Sequence, residues 1–284
     1  KEQLPDGVEV VDIVDSALKE LFIIENPHLK NSKENYDKEL KEFKEEKGNF
    51  VLWTYLPWRN VAVRMPSEEV YFKLRTARNK NIITEESQRR YRDCYVGIAG
   101  LSVGSSIVSS LVMTGGPKKM KIADFDVLET TNLNRLRGKI FDIGKVKTEI
   151  AAREVWELDP FTELDLWSEG VSKNSVSDFI LSPRLDIFVD EMDSIDVKIA
   201  SRIICKNNRI PIIMATDNGD SIILDIERFD IEPERDIFHG LLKDYTENDF
   251  ADLSFKDWLK IATKIIDADY LTEHMQNSLL EVGR

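Results

Sequence analysis

The 284-residue chain is poor in cysteine: Cys94 and Cys205 are the only two, so neither a disulfide framework nor a four-cysteine zinc site can be built from them. A reducing, cytoplasmic setting is the simplest expectation. No apolar run approaches the roughly 18 residues needed to span a bilayer, and the first residues lack the charged-then-apolar order of a secretory signal. A soluble protein without a membrane partner is expected. There is no basic excess either, because the formal charge is -13, and such a field repels polyanions unless a local basic patch overrides it. Nucleic acid is therefore not an expected partner. Internal repeats and low-complexity tracts are also missing. The chain starts at Lys1 rather than Met and ends in Glu-Val-Gly-Arg, so it is expected to be part of a longer protein.

What is present begins with enough apolar residues, 42%, for a sizeable core. From residue 95 onward apolar strands alternate with helical patterns. Strands are expected at 95–99, 119–123, 162–167, 186–190, 210–214 and 221–229, with helices at 106–113, 148–158, 175–181 and 194–206. Nearly continuous apolar strands separated by helices imply a mostly parallel sheet covered on both faces, a doubly wound, Rossmann-like α/β domain. Residues 91–231 are assigned to it.

Residues 1–90 read as an N-terminal helical and hairpin extension. Val11, Val14, Leu18, Leu21 and Phe22 recur at helical spacing, predicting one amphipathic helix over 8–24. The Lys/Glu-rich stretch 30–47 predicts a solvated helix or a linker. Residues 50–65 form two β-rich runs broken by Pro57-Trp58-Arg59-Asn60, which predicts a hairpin, with Arg59 and Arg64 as surface charge. Ser67 and Thr84 are placed to cap two short helices. Residues 232–284 are acidic and predict C-terminal helices around Phe255, Trp258, Leu259 and Ile261.

The chemistry concentrates in residues 95–147. After the strand 95–99 comes Gly100-Leu101-Ser102-Val103-Gly104-Ser105, a turn that would present backbone N–H groups and a helix N-terminus to phosphate. Gly100, Ser102 and Gly104 are its candidate binding positions, although Ser102 and Ser105 stand where glycines are usual in a dinucleotide fingerprint. The strand 119–123 ends in Asp124-Phe125-Asp126, and a carboxylate about 20 residues after such glycines suits ribose hydroxyls. An NAD-binding oxidoreductase fits to this point. Asn132, Arg135 and Lys147 then follow, more cation than a dinucleotide pyrophosphate requires, and they lean toward a nucleoside triphosphate. A nucleotide-binding scaffold without catalysis is a third alternative.

Asp124-Phe125-Asp126-Val127, Asn132-Leu133-Asn134-Arg135, Asp142-Ile143-Gly144-Lys145-Val146-Lys147 and Asp159-Pro160 together resemble the ThiF/MoeB/ubiquitin-activating-enzyme superfamily. Across residues 75–229, and including Met214 to Asp220, the likeness is greatest to large bacterial ThiF-type proteins, which are often fused to a nitroreductase-like flavin domain. The resemblance implies ATP-dependent adenylation of a C-terminal carboxylate of a protein or peptide, with release of pyrophosphate and with magnesium. By position it implies that Asp124 and Asp126 contact the nucleoside, that Asn132, Arg135 and Lys147 contact the triphosphate, and that Asp193 acts beside the metal. Asp193 could equally cap the following helix. Arg78 resembles an arginine lent to a partner copy, implying a homodimer, and Gln88 matches the family's lead-in to the first strand. Two departures stand out: Leu136 follows Arg135 where the family pattern has Gln, and Cys205 lies on a helix before the strand beyond which a thioester cysteine is expected. Adenylation without thioester transfer is the resulting expectation.

Overall fold

The computed structural model describes residues 5–31, 36–48, 51–218, 221–245, 254–266, 272–274 and 277. They fall into two compact units. The first comprises the described residues up to Arg92 together with Val112–Gly116 and Trp156–Phe161, and the second comprises the rest. No helix among the described residues is long and apolar enough to cross a membrane.

In the first unit, β1 (Glu9–Asp12) lies parallel to β3 (Val61–Pro66), which pairs antiparallel with β2 (Val51–Leu56). The expected hairpin is present, and Asn60 in its turn takes φ 53°, a left-handed conformation that Asn tolerates better than most residues. The single helix expected over 8–24 is replaced by two elements. Val10 and Val11 are β-branched and pair with Ala62 and Val63, as the pleated sheet favours. Arg64 holds one oxygen of Asp12 at 2.8 Å while the other accepts the Val14 N–H at 3.0 Å, and α1 (Val14–Glu25) starts there. Val11 happens to fall in helical phase with Val14 and Leu18, which concealed the break.

The Lys/Glu-rich stretch contains α2 (Tyr36–Lys47), and its few apolar residues suffice to seat it. Leu40 and Phe43 are buried with Leu21 and Phe22, and Phe22 meets Tyr36 and Phe43 edge-on at 5.5 and 5.4 Å, a favourable aromatic geometry. Helices α3 (Glu68–Thr76) and α4 (Glu85–Asp93) follow. Thr84 caps α4 by accepting the Ser87 N–H at 3.1 Å, whereas Ser67 makes no side-chain cap bond. Buried Asp159 takes Arg75 at 2.7 Å and Arg92 at 3.3 Å, so the Asp-Pro pair does more than end a helix. Gln88 is buried and donates to the Gly115 carbonyl at 2.9 Å.

The second unit is the doubly wound domain. Its six-stranded sheet has the order β6-β5-β4-β7-β8-β9, with β4 (Tyr95–Ala99), β5 (Lys119–Ala123), β6 (Glu163–Trp167), β7 (Ile187–Asp190), β8 (Ile212–Asn218) and β9 (Ser221–Glu227). All neighbours are parallel except β9, which runs antiparallel along one edge. The connecting helices are α5 (Gly104–Met113), α6 (Lys147–Leu158), α7 (Val176–Leu181) and α8 (Ile195–Asn207). One core packs Phe179, Phe188, Cys205, Ile212 and Phe229. A second joins Ile195, Ile199 and Met214 to Phe238, Leu242 and Ile261, the last on α9 (Phe255–Ile266).

β9 reverses the usual arrangement of an edge strand. Ile222, Leu224 and Ile226 are exposed, while Asp225 and Glu227 turn inward. The inward acids meet Arg202 of α8, which is fully buried and lies 2.5 Å from Asp190 and 2.7 Å from Glu227. Its guanidinium also stacks 3.8 Å from the Phe238 ring centroid. Burial alone would raise the Asp190 pKa, but Lys198 and Arg202 more than offset it and hold Asp190 below its ordinary value. Glu227 stays above its ordinary value because its burial outweighs Arg202. Removing one member of a buried charge set leaves the others uncompensated, so Arg202→Ala is expected to destabilise the protein by about 3–5 kcal/mol, read as a lower midpoint in urea unfolding.

Candidate functional site

From β4 the chain winds to β5 and β6 on one side, then returns to β7, β8 and β9 on the other. The crevice between the carboxyl ends of β4 and β7 is thus the topological switch point, where open α/β sheets bind ligands. Three strand ends are knitted together there: the Gly100 N–H donates to the Ala123 carbonyl and the Glu191 N–H to the Ala99 carbonyl, both at 2.8 Å.

Gly100 has φ +92°, and a Cβ there would stand 2.2 Å from the Glu191 carbonyl oxygen. Both facts require glycine. A Cβ on Gly104 also has little room, 2.9 Å from Ile98 Cγ2, so the first turn of α5 is pressed onto β4. Among the described residues no acceptor faces the backbone N–H groups of Ser102, Val103, Gly104 and Ser105. These are the free donors of a helix start, at the positive end of its dipole.

Lys147, the first residue of α6, is buried, and its ammonium reaches Asp126 at 2.7 Å, Ser102 Oγ at 3.2 Å and Asp124 at 3.9 Å. The structure thus brings four expected residues into one cluster. Within it the two acids differ. Asp124 accepts the Leu101 N–H at 2.6 Å with one oxygen and the Asp126 N–H at 2.8 Å with the other, so it braces the turn. The Asp126 side chain is 52% exposed, which leaves it as the carboxylate open to a ligand.

The remaining expected residues are held separately. Asn132 is buried, and its side-chain oxygen accepts the Glu129 N–H at 3.0 Å, fixing a single 3₁₀ turn. Arg135 is exposed and donates to the Thr131 carbonyl at 3.3 Å and to Asn134 at 3.0 Å. Leu136 is buried, lining a recess of about 20 Å³ with Leu101, Leu128 and Ile150. Asp193 is exposed on a bend; the N-cap of α8 is Ser194, without a side-chain cap bond. Arg78 is exposed within the first unit. Among the described residues no three His, Cys, Asp or Glu side chains converge as a metal site. Burial on α8 pushes the Cys205 thiol up, which disfavours the thiolate.

Glu191 escaped the sequence reading. Its carboxylate accepts the Ala215 N–H at 2.9 Å, and its backbone closes over Gly100. Burial pushes its pKa from the ordinary 4.5 to about 7, against the pull of that N–H and of Lys198. The available signal was Asp190-Glu191, two acids ending an apolar strand.

An open, mostly parallel sheet with a glycine turn, two carboxylates and a buried lysine at its switch point defines an α/β nucleotide-binding type of domain. The ThiF family model matches residues 75–223, more than half of the chain, and the chain belongs to the ThiF family. It is 38% identical over 232 residues to a Mycobacterium tuberculosis (strain CDC 1551 / Oshkosh) protein, "Uncharacterized protein MT1398", covering 82% of this chain and 32% of that one. It is 31% identical over 136 residues to the tRNA threonylcarbamoyladenosine dehydratase of Haemophilus influenzae, covering 46% of this chain and 51% of that one. The crystal structure of the E. coli tRNA N6-threonylcarbamoyladenosine dehydratase in complex with ATP shares the fold, with a TM-score of 0.50 and 23% identity over 53% of this chain and 62% of that one. The chain spans about a third to a half of the length of these curated relatives. The expectation of no nucleic-acid partner finds no support among these relatives, one of which is named for a tRNA nucleoside.

Between pH 4.5 and about 7 the folded state holds a proton on Glu191 that the unfolded state has lost, so this group lowers stability as pH rises through that window. Glu191→Gln keeps an acceptor for Ala215 and removes the titration. Its stability relative to the unsubstituted protein should therefore rise from pH 4.5 to pH 7, as measured by urea midpoints at each pH.

Proposed function

We propose that this chain uses ATP to adenylate a carboxylate of a protein or peptide acceptor, releasing pyrophosphate, with residues 91–231 as the adenylation unit. The observation that carries the reading is the Lys147 cluster: a buried ammonium beside a glycine turn with free N–H groups, at the switch point of a ThiF-family domain. The solved relative with ATP bound supports the same ligand.

The turn N–H groups and Lys147 bind phosphate oxygens, Asp126 accepts from ribose hydroxyls, and Asp124 keeps the turn in shape for both. Arg135 and Asn132 add donors from the segment after β5. An acceptor carboxylate is already ionised at neutral pH, so its attack on the α-phosphate needs no general base; what it needs is alignment and offset of developing charge. Asp193, exposed and next to the end of β7, suits a magnesium ion carried in with the nucleotide, since that ion is commonly held by one or two carboxylates plus phosphates. When bound, magnesium would screen the polyphosphate charge. Arg78 would act from a second copy in a homodimer.

A tRNA-borne acceptor is the second reading. The H. influenzae relative favours it, as do the exposed cations Arg78, Lys80, Arg89 and Arg90 in a chain of charge -13, whereas Lys73, Arg75 and Arg92 nearby are already paired with Glu25, Asp159 and Glu68.

ATP–pyrophosphate exchange with candidate acceptors tests the proposal. Exchange is expected for the unsubstituted protein, and Arg135→Ala, a change at an exposed side chain, should lower it roughly 100-fold, the usual size of losing one charge-stabilising donor. Failure to bind ATP with magnesium in calorimetry, or binding of NAD in its place, would overturn the assignment.

A further inference from the structure

The three segments proposed to face phosphate are tied together by a polar ring that the nucleotide reading does not use. Ser109 lies on α5, the helix that starts in the glycine turn. Glu154 lies on α6, two turns beyond Lys147 and so on the same face. Arg137 lies two residues after Arg135. The Ser109 hydroxyl donates to Glu154 Oε1 at 2.8 Å and accepts from the Arg137 guanidinium at 3.0 Å, while that guanidinium also reaches Glu154 Oε1 at 3.4 Å. The Ser109 residue is only 4% exposed, although the Arg137 and Glu154 side chains are 46% and 34% exposed. The ring therefore has a buried centre under a solvent-facing ion pair.

This ring does what no other contact of the 129–138 segment does. Asn132 spends its side-chain oxygen on its own 3₁₀ turn, and the Arg135 side chain bonds only within the segment, to the Thr131 carbonyl and to Asn134. Leu136 anchors the segment by apolar burial, which resists lifting but supplies no direction. The charge-assisted bonds of Arg137 are directional. They reach both helices whose amino-terminal ends carry the turn donors and Lys147.

We infer that Arg137, seated on Ser109 and Glu154, is a positioning residue that holds the Asn132–Arg135 segment in register with α5 and α6, so that Arg135 is presented to the nucleotide. The inference rests on the adenylation reading for its consequence, but the register itself is independent of any activity.

Two measurements on the whole chain test it. In hydrogen–deuterium exchange, Arg137→Ala, Glu154→Gln and Ser109→Ala should each raise exchange of the 133–136 amides about tenfold, with β4 and β5 unchanged, because only local opening is affected. Glu154→Gln and Ser109→Ala leave Arg137 in place, so the test survives if Arg137→Ala folds poorly. In ATP–pyrophosphate exchange, Arg137→Ala should lower turnover about tenfold in the native background and have no further effect in an Arg135→Ala background, since coupled residues are not additive. Unchanged exchange of the 133–136 amides in all three variants would overturn the inference, as would equal losses of turnover in both backgrounds. If Arg135→Ala itself leaves turnover intact, the adenylation role of Arg135 fails, and the amide exchange still decides whether Arg137 sets the register.

Discussion

The proposed nucleotide face of this protein depends on one buried ammonium. An amine withdrawn from water is tolerated only where opposite charge and hydrogen-bond acceptors surround it, and Lys147 finds them in Asp126, Ser102 and, further off, Asp124. Those partners come from the end of β5 and from the glycine turn, while Lys147 itself opens α6. Satisfying the one charge therefore fixes the mutual placement of three segments. Asp124 completes the arrangement by giving both oxygens to backbone N–H groups of the turn and its own loop. A turn shaped this way keeps its remaining donors unspent, which is the property a phosphate site requires.

A second ionic centre organises the β7–β9 side of the sheet. Arg202 on α8 gathers Asp190 from β7 and Glu227 from β9 and lies against Phe238. Glu227 also accepts the Phe238 N–H at 2.6 Å, so the strained turn at Phe238 and His239, both with positive φ, is held to the sheet. Because Asp190 precedes Glu191 and the bend at Asp193, the rim of the switch point is supported from below by this network. The inward acids of β9 leave its apolar residues on the outside, a reversal that charge pairing explains better than hydrophobic patterning.

Much of the doubly wound domain was legible because its strands are continuous apolar runs and its helices repeat at 3.6 residues, signals that survive without any partner. The exceptions had local causes. Val11 fell by chance into the phase of α1, so β1 could not be distinguished from helix until β3 was there to pair with it. The α2 stretch offered only Leu40 and Phe43 as apolar anchors, and their value depended on Phe22 arriving from another helix. In the candidate site, the motif positions gave Ser102, Asp124, Asp126 and Lys147 as members, but they could not separate the brace from the open carboxylate. Glu191 was passed over because its one signal, a pair of acids ending an apolar strand, does not tell a buried carboxylate from an exposed one.

The sequence by itself determined the class of domain, the order of its strands and helices, and the residue types able to handle phosphate, since these follow from periodicity, turn chemistry and charge along the chain. Tertiary structure decided which acid serves the turn and which faces outward, why Gly100 can be nothing else, and that Arg137 reaches Ser109 and Glu154. Each of those depends on atoms brought together from distant positions, where an oxygen 2.2 Å from a missing Cβ or a carboxylate 2.7 Å from an ammonium settles a role that composition and spacing leave open.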